Sequence, residues 1–311
     1  MKLRLGSRGS ALAMTQAREM ARRITELDHE VEIVCIKTEG DADQQSPFAQ
    51  VGLPGLFVRS IETALIEGRI DLALHCYKDL PSDSPAELQV VAMPEREDTR
   101  DVLLVAPAAF AAKAEQLPLV PEAVVGTASA RRQALLRHLR SDLSWGLLRG
   151  NLQTRLQRLR EGKFDAILLA AAGLARLERG AQRGEGNALA IEGLERLDLD
   201  PTIFVPAPSQ GALALQARRD NGDMQTIAAA LDQPDDHRAV RAERFLLALV
   251  DAGCQVPFGA YARKTPGGSL ELHAALEVNG ELRRARARGG DPESLARKAF
   301  EELLGNGAQA Q

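Results

Sequence analysis

The sequence predicts an α/β fold: two α/β domains on mostly parallel sheets, then a smaller α+β domain with a three-stranded antiparallel sheet. Three observations carry this. Strand-like and helix-like segments alternate through about the first 220 of 311 residues, the rhythm of βαβ units. That grammar restarts after Glu95-Arg-Glu-Asp-Thr-Arg-Asp101, a charged, strand-free passage suited to a crossing between domains. From about Asn221 the pattern changes to two helices, three short alternating segments and a closing helix.

Taken in order, Lys2 to Leu5 is a short strand, Gly6-Ser-Arg-Gly-Ser10 a turn, and Ala11 to Glu26 an amphipathic helix that Ser10 can cap. Glu30 to Lys37 alternates and is β-branched, which predicts a strand. Residues 38–54, rich in Asp, Gln, Gly and Pro, read as a mobile loop. A helix over Leu56 to Glu67 stops at Gly68, and the apolar run Asp71 to Cys76 suits a buried strand. Leu88 to Met93 is a further strand. The second cycle comprises strands at Val102 to Val105, Ala123 to Gly126 and Phe164 to Leu169, with helices at Ala130 to Arg140, Leu152 to Glu161 and around Ala172 to Leu177. Residues 179–196 read as a surface excursion. Ile203 to Val205 and Ala212 to Ala217 read as strands, the segments 258–263, 269–277 and 281–287 as the antiparallel sheet, and the stretch after Pro292 as the last helix.

Composition narrows the function. With 45% hydrophobic and 26% charged residues the chain is an ordinary globular protein, and a net charge of −4 argues against a nucleic-acid binder. No apolar run approaches a membrane span and the N-terminus lacks a leader's apolar core, so the expected compartment is the cytoplasm. Cys35, Cys76 and Cys254 are too few and too widely spaced for a disulfide framework or a zinc site, and five scattered histidines suggest no metal.

The residues that could carry chemistry fall into three groups. Lys78-Asp79 follows the Asp71 to Cys76 strand directly, and ligands of open α/β sheets sit beyond the carboxyl ends of strands. Alone, such a pair is more simply an exposed turn. Second, Gly6-Ser-Arg8-Gly-Ser10, Gly126-Thr127-Ala-Ser129-Ala-Arg131-Arg132 and Arg149-Gly150-Asn151-Leu-Gln-Thr-Arg155 are turns of small residues that open helices and carry arginines. Arginine there opposes the helix dipole at a cost of up to about 1 kcal/mol per exposed charge. Such placement makes sense around an anion, although each arginine could instead be solvated or paired. The fork of a guanidinium suits carboxylates, so the inferred substrate carries several and lies in a cleft between two domains. Third, Cys254 stands in the loop Asp251-Ala-Gly-Cys-Gln-Val-Pro257, open to readings as nucleophile, covalent anchor, redox sensor or incidental small residue. Cys35, in mid-strand, and Cys76 read as packing residues, and His75 as a strand histidine.

Together these motifs resemble the porphobilinogen deaminase (hydroxymethylbilane synthase) family over nearly the full length. The likeness runs through Ser7-Arg-Gly-Ser-Ala-Leu-Ala13, His75-Cys-Tyr-Lys-Asp-Leu-Pro81, Glu95 to Asp101, Gly126 to Arg132, Leu148 to Asn151 with Thr154-Arg155, Phe164 to Leu174, Pro206-Ala-Pro-Ser-Gln-Gly211, Ala242-Glu-Arg244 and Gly253-Cys-Gln-Val-Pro257. The resemblance implies two domains like type II periplasmic binding proteins, the first completed by a segment after the second. The implied boundaries are 1–99 with 200–219, then 100–199, then 220–311. It implies a cytoplasmic monomer that joins four porphobilinogens, with loss of ammonia, into a linear tetrapyrrole on a dipyrromethane cofactor attached through Cys254. It makes Asp79 the catalytic acid, which protonates the leaving amine and then, as carboxylate, stabilises the cationic azafulvene. It assigns Lys78, Thr127, Ser129, Arg131, Arg132, Gly150 and Arg155 to the cofactor, and Arg8, Ser10, Arg149, Arg155, Arg176 and Gln210 to the substrate. Loop 38–54 would be a lid. The sequence departs from the family's usual residues at Leu53-Pro54, Cys76, Ala128 and Ser209. The competing reading is a non-catalytic two-domain clamp for a carboxylate ligand, which leaves Lys78-Asp79 and the thiol loop without a purpose.

Overall fold

The computed structural model describes residues 1–37, 56–114, 116–251 and 256–305, so the expected loop 38–54 and Cys254 lie outside the described residues. The chain divides into two compact units. The first is Met1–Glu97 with Arg176–Asn187 and Gly211–Arg238; the second is Asp98–Ala175 with Ala188–Gln210 and Ala239–Gln311.

In the first unit, β1 (Lys2–Arg8), β2 (Glu30–Ile36), β3 (Leu72–Cys76), β4 (Leu88–Ala92) and β10 (Leu213–Arg218) form one sheet in the order β2-β1-β3-β10-β4. The first three strands are parallel, and β10 runs antiparallel to both β3 and β4. Helix α1 (Ala11–Thr25) starts where expected, with Ser10 accepting from the Ala13 N–H at 3.3 Å. It buries Ala17, Met20 and Ile24 against Leu3, Leu5, Leu72 and Leu215, and α6 (Gly222–Ala229) adds Met224, Ile227 and Ala228 to the same core. Helix α2 (Leu56–Ile66) packs Ile61 and Leu65 on the opposite face with Ile70 and Leu88.

The second unit repeats the plan. Strands β5 (Asp101–Val105), β6 (Val124–Gly126), β7 (Ser144–Gly146), β8 (Ala166–Ala170) and β9 (Glu195–Asp198) lie in the order β7-β6-β8-β5-β9. Again three parallel strands meet an antiparallel pair. This shared plan is the twin α/β architecture that the alternating segments predict and the resemblance implies. Helices α3 (Ala130–Leu139) and α4 (Leu152–Arg160) follow β6 and β7, and α5 (Ala171–Gln182) follows β8, its residues from Arg176 onward belonging to the first unit. The predicted antiparallel sheet is present as β11 (Phe258–Lys264), β12 (Leu270–Val278) and β13 (Glu281–Gly289). Its alternation puts Ala260, Leu272, Ala274 and Leu276 against α7 (Pro234–Val250) and α8 (Pro292–Leu304), while Ala275 joins the core of Leu103, Val125, Phe204 and Val205.

Some expectations fail for local reasons. Ile203 to Val205 is not a strand: Asp200 accepts from the N–H groups of Thr202, Ile203 and Phe204, and these local bonds wind the segment into a turn. Strand β7 is too short to show a period, and β9 is charged because it is an edge strand. The turn expected from Gly6 begins only after Arg8, since β1 continues to that residue beside β2. Cys35 is exposed rather than core, because it lies near the end of the edge strand β2, past the cores that cover Val34 and Ile36 on one face and Val31 and Ile33 on the other.

One polar network crosses the first core. His75 lies 3.0 Å from Gln216 Oε1, and Gln216 Nε2 donates to Glu62 at 2.9 Å, so β3, β10 and α2 are joined through three buried side chains. The Gln216 oxygen can only accept, so His75 donates from Nε2. Burial holds its pKa down to about 4. Because the unfolded chain binds this proton near pH 6.5 and the folded one does not, the contribution is complete above about pH 6.5 and disappears as pH falls through about 4. His75→Gln is expected to lose about 2–3 kcal/mol less stability than the parent between pH 7 and pH 4, measured by urea unfolding at both pH values.

Candidate functional site

In the first unit the chemistry-bearing residues collect at the carboxyl edge of the sheet. β1 and β3 are neighbours in parallel, so Arg8, Ser10 and the residues after Cys76 emerge side by side. Tyr77–Asp79 forms a single 3-10 turn, fastened by the Tyr77 N–H to Ala212 O at 3.0 Å and by Leu80 N–H to Tyr77 O at 3.2 Å. Tyr77 is buried, which turns Lys78 and Asp79 to solvent. The expected strand-then-acid arrangement is present.

Two neighbours define this edge. Gln16, buried on α1, donates to Cys76 Sγ at 3.5 Å. Burial, then the Asp79 carboxylate, raise the Cys76 thiol above its usual range, so this half-buried sulfur stays protonated and weakly nucleophilic. Arg176 is 5% exposed and donates to Gly211 O at 2.7 Å; burial lowers its pKa. The charges of acidic groups near it, Glu97 and Glu19 among them, partly offset that burial.

In the second unit both glycine-bounded turns open helices with a side-chain cap. Ser129 accepts from Arg132 N–H at 3.4 Å, and Asn151 from Thr154 N–H at 2.9 Å. Thr127 is buried and accepts from Ser129 N–H at 3.2 Å. Gly150 sits at φ +101°, and a Cβ there would meet the Thr154 side chain at 2.9 Å, so only glycine fits. Its carbonyl accepts from Arg155 Nε at 2.8 Å. Burial, and then the charge of Arg132, pull the Arg155 guanidinium down to about 10. Arg149 is half-buried at the head of the same turn.

Arg131 and Arg132 are not solvated helix-start charges. Both are buried, and both hold Asp101, which is 0% exposed: Arg131 Nη1 reaches Oδ2 and Arg132 Nη2 reaches Oδ1, each at 2.7 Å. Arg131 also donates to Val205 O at 2.8 Å and Arg132 to Leu168 O at 2.9 Å. Burial pushes Asp101 up, but the two guanidiniums outweigh it and hold its carboxyl well below the carboxylate range. Gln210 completes the cluster, its Nε2 donating to Thr99 O at 2.8 Å and to Asp101 at 3.0 Å. Beside it, Ser209 stands at φ +63°, a left-handed position that favours glycine. The buried Glu243 holds this turn by accepting from Ser209 N–H at 2.6 Å and Ala262 N–H at 2.7 Å.

Asp101 and Glu243 are the two residues that sequence reasoning passed over. Asp101 closes the charged passage Glu95–Asp101, and no spacing rule joins it to guanidiniums thirty positions later. The donor set fits a ligand with acidic side chains: guanidinium forks, hydroxyls and turn amides, with no hydrophobic slot required. That chemistry suits a dipyrromethane, whose pyrrole rings carry carboxylates.

Comparison with known proteins agrees. Residues 3–226 match the domain described as "Porphobilinogen deaminase, dipyromethane cofactor binding domain", and residues 237–305 the one described as "Porphobilinogen deaminase, C-terminal domain". The porphobilinogen deaminase of Syntrophobacter fumaroxidans is 39% identical, the alignment covering 99% of this chain and 96% of that one. That of Acidothermus cellulolyticus is 40% identical, over 98% of this chain and 89% of its own. The non-catalytic clamp is thereby disfavoured. The chain belongs to the porphobilinogen deaminase family, the transferases of tetrapyrrole biosynthesis that work with a dipyrromethane cofactor.

Proposed function

We propose that this enzyme joins four porphobilinogens, each losing ammonia, and releases the linear tetrapyrrole hydroxymethylbilane with water, using Asp79 as its one acid. The observation that carries this reading is the exposed Asp79 carboxyl on its fastened turn past the end of β3, beside the ends of β1 and α1. An Asp79 oxygen protonates the substrate's departing amine; the resulting carboxylate faces the positive charge left on the methylene carbon and stabilises it. A carboxyl held by backbone needs no rearrangement between these roles.

The dipyrromethane, when bound, supplies the pyrrole carbon to which substrate is joined. Arg131, Arg132, Arg155, Thr127, Ser129, Lys78 and the Gly150 amide hold its carboxylates. Arg8, Ser10, Arg149, Arg155 and Arg176 serve the substrate's acetate and propionate. Gln210 has a narrower part, since its Nε2 is already committed to Asp101 and Thr99. Cys254 is the attachment point. Burial and the Asp79 carboxylate raise the Cys76 thiol, which makes it a poor nucleophile and so supports this choice. The reading includes three domains (1–99 with 200–219, 100–199 and 220–311), a division that the separate antiparallel sheet supports, and a monomer acting in the cytoplasm.

Asp79→Asn is expected to fold and carry cofactor while losing at least about 100-fold in kcat; turnover within a few-fold of the parent would remove Asp79 from its role. Cys254→Ser is expected to show, by intact mass, a chain without the two-pyrrole adduct. An adduct retained in that variant would move the anchor to another residue, with Cys76 the next to replace.

A further inference from the structure

We infer that Asp101 is the positioning residue of the cofactor-binding arginine pair, fixing both guanidiniums and setting their net charge at one. This rests on the reading of Arg131 and Arg132 as cofactor ligands. Adjacent arginines in the first turn of α3 repel each other and oppose the helix dipole, so nothing in the helix keeps them parallel. Asp101 does, because it starts β5 next to β8 and its two oxygens reach one guanidinium each. The bonds are selective. Arg131 spends Nη1 on Asp101 and Val205 O, and its Nε and Nη2 have no partner among the described residues. Arg132 spends its Nε–Nη2 edge on Asp101 and Nη1 on Leu168 O. A side-on fork of Arg131 is thus left for a carboxylate. Backbone room is provided too: a Cβ on Gly259 would come within 2.7 Å of Val205 O and 3.2 Å of Arg131 Cδ.

Two cations and one anion leave one positive charge, which matches one cofactor carboxylate; Arg155, tied to the Gly150 carbonyl, is left to take another. Removing the Asp101 charge would free both guanidiniums to separate. The effect belongs to assembly of the holoenzyme, before any turnover.

The test uses full-length chains produced without porphobilinogen, melted to establish folding, then incubated with porphobilinogen while intact mass reports adduct formation. Folded Asp101→Asn is expected to acquire the adduct about tenfold more slowly than the parent, the order of loss that misplaced binding groups produce. Asp101→Glu keeps the charge but displaces it, so it should fold and load at an intermediate rate. Loading at the parental rate by either folded variant, while Arg131→Gln stays unloaded, overturns the role of Asp101 alone. Parental loading by Arg131→Gln overturns the cofactor reading of the arginines themselves.

Discussion

Two guanidiniums buried within one helical turn demand a counter-charge at the same depth, and the second unit is arranged around that demand. Desolvating each cation is costly, and only close, well-directed hydrogen bonds offset it. Asp101 meets both at 2.7 Å, backed by the carbonyls of Val205 and Leu168 and the amide of Gln210. These partners come from the start of β5, the middle of β8, the segment after the Asp200 turn and the turn before β10. The cluster therefore pins two strands, a helix start and a loop to one another. Exposed ion pairs elsewhere, such as Lys2 with Glu32 at 3.2 Å, are screened by water and hold far less.

The first unit solves a different problem. Its acid must be reachable, so Asp79 stands in solvent while its supports are buried: Tyr77 below it, and the His75–Gln216–Glu62 chain within the sheet that delivers it. The same arrangement quietens the neighbouring sulfur. Cys76 sits close enough to the Asp79 carboxylate, and deep enough, that its thiolate is disfavoured on both counts. A thiol at this position accepts a hydrogen bond from Gln16, and it need not compete for electrophiles. The left-handed Ser209 is tolerated in a similar way, held by Glu243 at 2.6 Å.

The candidate residues differ in how readily they could be found. Ser10, Ser129 and Asn151 were legible as caps because capping is a local bargain between a side chain and an N–H two or three residues on. Lys78-Asp79 was legible because an apolar run ended abruptly at a charged pair. Cys35 was misjudged because alternation gives the period of a strand and not which strand lies at the edge. Ile203 to Val205 is a turn and not a strand because Asp200 captures the Ile203 and Phe204 amides locally, which composition does not announce.

From the order of residues alone came the twin α/β rhythm, the antiparallel finish, the helix starts and the family. These follow from periodicity, caps and contiguous motifs, all short-range properties of the chain. Tertiary structure alone decided that β10 would run antiparallel between β3 and β4 and that Asp101 would meet Arg131 and Arg132. It also decided that Cys76 would be silenced by its surroundings. The reason is physical. Burial and charge pairing depend on what folding brings within a few ångströms, and neither leaves a local signature in the sequence.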